Sequence, residues 1–182
     1  MRQPKENNIA YIDGANLHNG VKSLPWNFDY AKFRIWLLEK CNVVEAYLFL
    51  GLIDKNVDLY AKLKKDGYLI IFKETSVNLN GKLKGNCDAD LIVLLMQHLY
   101  EGMFDKAVLI SSDGDYVPLV KLLIEKDKID ILVSPYSTKY CSVLLKRTDV
   151  KIIYLEDQKA MLETKLSRMI KNEKTPDEDK TS

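Results

Sequence analysis

Histidine is scarce in this chain, with His18 and His98 its whole supply, and the cysteines Cys41, Cys87 and Cys141 form no CxxC pair. A zinc site therefore has little to draw on. An odd number of widely spaced cysteines, each inside an apolar stretch, argues against a disulfide framework and suits buried thiols of a reducing compartment. Charge of one sign is also lacking. Lys+Arg 27 against Asp+Glu 26 leaves a formal net charge of +1, so no basic field covers the molecule and any polyanion site must be local. No apolar run nears the roughly 20 residues of a membrane span, and Met1-Arg2-Gln3-Pro4-Lys5-Glu6 has no signal-peptide core. A soluble, cytoplasmic protein with no membrane partner is expected.

What is present is enough apolar material for one sizeable core: 182 residues, 47% of them hydrophobic. A single domain over residues 1–171 is expected. Residues 172–182 carry charge, Pro and Ser/Thr with no apolar residue, the composition of a disordered tail. Short β-rich runs alternate with helical-period segments, the pattern of an α/β domain with a mainly parallel sheet. The expected strands are Ile9–Ile12, Val43–Leu50, Tyr68–Phe72, Ala107–Ile110, Ile129–Val133 and Val150–Tyr154.

Helices are expected between them. The first has Asp29 as cap and Phe33, Leu37 and Leu38 as its apolar stripe; the second runs from after Asp54 to before Gly67. A third runs from about Asp88 to Glu101, and a fourth carries Pro118 in its first turn. Ser137 or Thr138 is the expected cap of a fifth. The last places Leu162, Leu166, Met169 and Ile170 on one face, which is expected to pack on the domain; a homodimer contact is the alternative. Residues 74–86, with the tight-turn pair Asn80-Gly81, read as a mobile loop.

Two runs, Ile9-Ala10-Tyr11-Ile12-Asp13-Gly14-Ala15-Asn16 and Val108-Leu109-Ile110-Ser111-Ser112-Asp113-Gly114-Asp115, each drop acids off the end of an apolar strand. In an open parallel sheet the ligand crevice lies at the carboxyl ends of the strands, where strand order reverses. Carboxylates collected there repel one another, and a hard cation with oxygen ligands, Mg²⁺ or Mn²⁺, holds them ionised. Gly14 is expected to turn the chain so that Asn16 returns to the crevice and orients Asp13 or a water. Gly114 would let Asp113 and Asp115 converge, and Ser111 and Ser112 add hydroxyls.

Each motif has a plainer structural reading. Asp-Gly alone suits an Asx-turn, Asp115 suits a helix cap, and Asp88 and Asp90 suit the first turn of a helix. The coincidence of three acidic positions favours the metal site. Lys82, Lys84 and Lys73 could reach phosphates, although loop lysines are usually only solvated. His18 reads as a surface histidine before a base.

Four landmarks carry a resemblance: Tyr11 through Asn16, Lys84-Gly85-Asn86-Cys87-Asp88, Leu109 through Leu119 with its Ser-Ser-Asp-Gly-Asp core, and Cys141-Ser142 through Asp149. With them the chain resembles the NYN domain group of the PIN-like nuclease superfamily, most closely its LabA-like bacterial branch. The resemblance implies a Rossmann-like three-layer αβα fold and metal-dependent hydrolysis of RNA, as an endoribonuclease. It further implies Asp13, Asp88, Asp113 and Asp115 as metal-binding acids, with Asn16 and Ser112 in support. Two positions depart from the pattern: Ser112 stands where Gly is common, and Leu94 stands where many members carry a further acid. Asp90 does not share a helix face with Asp88 and is no obvious substitute.

Two other functions compete with a nuclease. A non-catalytic RNA-binding or regulatory module would keep the fold, and near-neutral charge and Leu94 favour it. A phosphotransferase with Asp13 as nucleophile commonly needs a second Asp two residues on, where this chain has Ala15.

Overall fold

A computed structural model of the chain describes residues 6–52, 56–73, 76–77, 83–84 and 87–164. Six strands form one all-parallel sheet: β1 (Asn8–Asp13), β2 (Val43–Gly51), β3 (Leu69–Lys73), β6 (Ala107–Ile110), β7 (Ile129–Ser134) and β8 (Lys151–Tyr154). Every strand expected from the sequence is among them. Their order is β3-β2-β1-β6-β7-β8. The chain therefore winds one way through β1, β2 and β3 and the other way through β6, β7 and β8. The carboxyl ends of β1 and β6 flank the switch point, where an open α/β sheet leaves its crevice.

Period-two alternation in the central strands sorts their side chains into two cores. Ala10, Ile12, Val108 and Ile110 face one, while Ile9, Tyr11, Ala107 and Leu109 face the other. Helices α1 (Gly14–Lys22), α2 (Tyr30–Cys41) and α3 (Val57–Lys65) send Leu17, Phe33 and Leu63 into the first core. Helices α4 (Asp88–Tyr100), α5 (Val117–Glu125) and α6 (Val143–Lys146) send Leu91, Leu123 and Leu145 into the second. The result is the three-layer αβα arrangement of a PIN-like domain. Inside the second core Tyr11 Oη lies 2.9 Å from His98 Nδ1, so this histidine is a satisfied core residue. All three cysteines are free thiols. No helix among the described residues is long and apolar enough to cross a membrane.

The structure corrects several local expectations. The sharp turn expected at Gly14 is instead the start of a helix, α1, which runs from Gly14 to Lys22. In α2 the buried stripe is Phe33, Trp36, Leu37 and Cys41, whereas Leu38 is 37% exposed, because the larger indole one turn before Lys40 takes the inward arc. Helix α6 is capped by Ser142, whose hydroxyl accepts from Leu144 N–H at 3.2 Å. Thr138 instead gives its N–H to Glu156 at 3.0 Å. Helix α7 (Lys159–Leu162) buries Leu162, after which the chain is extended and Glu163 bridges to Phe28.

The expected long final helix beyond it, with Leu166, Met169 and Ile170, and the expected tail fall outside the described residues, as does Asp54. Within the segment read as a loop, β4 (Ser76–Val77) and β5 (Leu83–Lys84) pair antiparallel; Asn80, Gly81 and Lys82 lie outside the described residues.

Candidate metal centre

Asp13 ends β1 and caps α1, accepting the Asn16 N–H at 2.9 Å. Its other oxygen receives the Ser111 hydroxyl at 3.4 Å. Gly14 is needed here for closeness and not for a turn, since its φ is not positive. A Cβ would run into the Phe49 carbonyl and the Leu50 side chain. Asn16 carries out a tie different from the one expected: its side-chain oxygen accepts the Ser112 N–H at 2.9 Å, fastening the end of β1 to the loop after β6.

That loop is organised by its own side chains. Ser111, fully buried, also accepts the Asp113 N–H at 3.1 Å. Ser112 shares a 2.8 Å hydrogen bond with Ser134 at the end of β7, and the Ser134 hydroxyl donates to the Tyr136 carbonyl at 2.7 Å. Both serine hydroxyls are thus engaged beneath the acids. Asp113, not Asp115, is the cap of the 3-10 turn that follows, accepting the Asp115 N–H at 3.0 Å. Gly114 again answers a close approach, because an added Cβ would lie 2.6 Å from Ser142 Oγ. Pro118 sits in the first turn of α5 as expected.

Asp88 opens α4 but does not cap it; Cys87 stands at the cap position and makes no side-chain cap bond. Instead Asp88 Oδ1 accepts the Tyr116 hydroxyl at 2.7 Å. Burial, followed by the charges of Asp13 and Asp88, raises the Tyr116 pKa, so this phenol stays protonated and donates. Tyr116 escaped the sequence reading because its only local signal was a large side chain beside Asp115.

Asp88, Asp113 and Asp115 come together, each offering one oxygen, all within 4.8 Å of one another. Asp88 and Asp113 are half-buried and Asp115 is exposed, so the cluster is open to solvent on one side. Asp13 stands outside this trio, at its buried edge. Burial raises its pKa most, and the charges of Asp88 and Asp113 add to the rise against the lowering bonds from Asn16 and Ser111. Hard carboxylate oxygens converging from the start of α4 and the loop between β6 and α5 fit a small divalent cation such as Mg²⁺ or Mn²⁺.

Of the remaining candidates, Asp90 pairs with Lys73 at 3.4 Å, which turns that lysine toward α4. Lys84 lies in β5, and Lys82 is outside the described residues. Leu94 packs against the second core. His18 lines a cavity that Asp13 also lines, and burial and Lys22 hold its pKa down.

Two consequences follow for experiment. Tyr116→Phe keeps the packing and removes the donor to Asp88, so Mn²⁺ affinity is expected to fall about tenfold, the cost of losing a partner of a metal ligand. Titration calorimetry reads this. Asp13→Asn is expected to stabilise the metal-free protein near neutral pH by about 0.5–2 kcal/mol, the range of single stabilising substitutions. The sign follows from a folded-state pKa above the unfolded value: protonation favours the native state, and stability is lost as pH rises through the raised pKa. The advantage of the variant therefore vanishes once pH drops below the unfolded value near about 3.9. Thermal melts in EDTA at several pH values check it.

Comparison with known proteins agrees with this architecture. A crystal structure of a protein of unknown function from Vibrio parahaemolyticus superposes with a TM-score of 0.69 at 20% identity, covering 86% of this chain and 98% of that one. This likeness shows the fold alone. No curated protein matches the chain. The family model for the NYN domain matches residues 8–156, from the first residue of β1 to the residue after Leu155, and so takes in Asp13, Asp88, Asp113 and Asp115 together. The chain belongs to the NYN domain family.

Proposed function

We propose that the protein is a metal-dependent endoribonuclease that hydrolyses RNA phosphodiester bonds at the Asp88, Asp113 and Asp115 cluster, and that it belongs to the LabA-like bacterial branch of its family. The observation that carries this reading is the convergence of three carboxylates at the switch point of a parallel sheet. A bound Mg²⁺ or Mn²⁺ supplies, in such a site, activation of a water and stabilisation of the charge that develops on phosphate. Asp88, Asp113 and Asp115 would hold it. Tyr116 orients Asp88 by donating to one of its oxygens. Ser111 and Asn16 fix the backbone on which Asp113 stands. Asp13, next to the trio, has its pKa raised by burial and by the charges of Asp88 and Asp113, which a cation at the trio would offset.

A second reading, a regulatory module that binds RNA without cutting it, is favoured by Leu94, a partly buried apolar side chain packed against the second core where the family resemblance would place a further acid. Incubating the purified protein with a panel of RNAs, with Mn²⁺, Mg²⁺ or EDTA, separates the two. Metal-stimulated cleavage lost in Asp113→Asn supports the nuclease. Retention of RNA without cleavage, unchanged when Asp13 and Asp113 are both replaced, supports the module.

A further inference from the structure

Beside the acidic cluster, with Asp13 at the edge between the two, a cavity of about 340 Å³ opens between α1, α3 and the carboxyl end of β2. Roughly 300 Å³ is where cavities begin to hold small organic ligands. Its walls are apolar and aromatic: Leu48 and Leu63 are buried, and Tyr30 and Tyr60 are its aromatic side chains on this face of the sheet. The Tyr60 ring is braced, set edge-on against Phe72 with centroids 4.8 Å apart, and its hydroxyl donates to the Gly51 carbonyl at 3.3 Å.

Among the described residues, no Lys or Arg lines the cavity, and its one acidic side chain is Asp13. Such a site rejects phosphate and accepts a flat, uncharged ring. Its polar side chains His18, Asn19 and Asn56 offer both donors and acceptors to the edge of such a ring.

We infer that this cavity takes one unpaired nucleobase of the RNA, belonging to a nucleotide next to the phosphate held at the acidic cluster, and so restricts the enzyme to single-stranded substrate. The inference rests on the nuclease reading for the position of the phosphate. Asp13 lines the cavity and stands at the edge of the acidic trio, so a phosphate at the acids leaves its neighbouring base within reach of the cavity. A base stacked in a duplex cannot enter the cavity without leaving its stack.

The test uses the full chain and, first, no phosphate: NMR titration with adenosine and with uridine in EDTA. Saturable shifts of the Ala15, Leu59 and Leu63 signals are expected. They should weaken by about tenfold, the scale of one base stacked on aromatic side chains, in Leu59→Trp and in Asn19→Trp. These substitutions fill the cavity from opposite rims and sit on exposed helix positions, so one misfolded variant leaves the other to report.

The second arm measures metal-stimulated cleavage of a short single-stranded RNA, of the same strand annealed to its complement, and of versions with one abasic nucleotide moved along the strand. Preference for the single strand and loss at one abasic position are expected. If nucleosides fill the cavity but no RNA is cut, base binding holds and the nuclease reading fails. If RNA is cut with no regard to strandedness or to any missing base, and neither nucleoside shifts those signals, the cavity inference is overturned while the nuclease stands.

Discussion

Asp113→Asn is expected to lower metal-stimulated RNA cleavage by at least about a hundredfold, because a divalent ion contributes several kcal/mol of charge stabilisation to phosphodiester hydrolysis and this substitution removes one of its ligands. The fold should survive. Asp113 is half-buried, and an Asn at the same position still offers a side-chain oxygen to the Asp115 N–H that the carboxylate now accepts at 3.0 Å. Asp115→Asn should cost less than Asp113→Asn or Asp88→Asn, since Asp115 is exposed and, among the described residues, no other side chain holds its carboxylate. Initial rates at saturating Mn²⁺, with circular dichroism to verify folding, decide the order. Equal rates for wild type and Asp113→Asn would remove Asp113 from the chemistry.

Gly14→Ala is expected to destabilise the protein by about 1–3 kcal/mol, the usual cost of forcing a methyl group into a filled space. Ordinarily Ala in place of Gly in a helix is favourable, by about 0.4–1 kcal/mol through the unfolded chain. Here the added Cβ meets the Phe49 carbonyl, which belongs to β2 and cannot swing aside, as well as the Leu50 side chain, which can. Phe49 is the register partner of Asp13, so relief requires the start of α1 to lift off the sheet just where Asp13 caps it. Loss of stability by urea titration should therefore be accompanied by weaker Mn²⁺ binding. A variant as stable as wild type would show that α1 has more room than its contacts with β2 allow.

The strands were legible because each is a β-branched, apolar run bounded by polar residues, and a parallel sheet buried on both faces needs just such runs. Helices α4 and α5 were legible from periodicity and from Gly102 and Pro118 at their ends. Helix α1 was not: Gly14, Asn16, His18, Asn19 and Gly20 are poor helix formers, and the segment is helical because Asp13 caps it and its glycines allow close packing. Gly20 sits against Pro135, a neighbour far along the chain that no local pattern predicts.

The acids show the same division. Strand ends marked Asp13, Asp113 and Asp115, but the assembly of Asp88 with the latter two, Asp13 remaining at the edge, depends on how α4 packs over the sheet. The Tyr116–Asp88 bond spans 28 residues and has no sequence signature. Glycine's conformational freedom was the wrong reason for Gly14 and Gly114. Neither has a positive φ, and both are required for want of a side chain.

The account stands on the acidic trio being a metal centre, and Mn²⁺ titration calorimetry on wild type and on Asp88→Asn/Asp113→Asn tests that without a choice of substrate. It predicts saturable binding by wild type, released protons as pH is lowered toward the Asp13 titration, and no binding by the folded double variant. Absence of binding by wild type, or equal binding by both proteins, would contradict it.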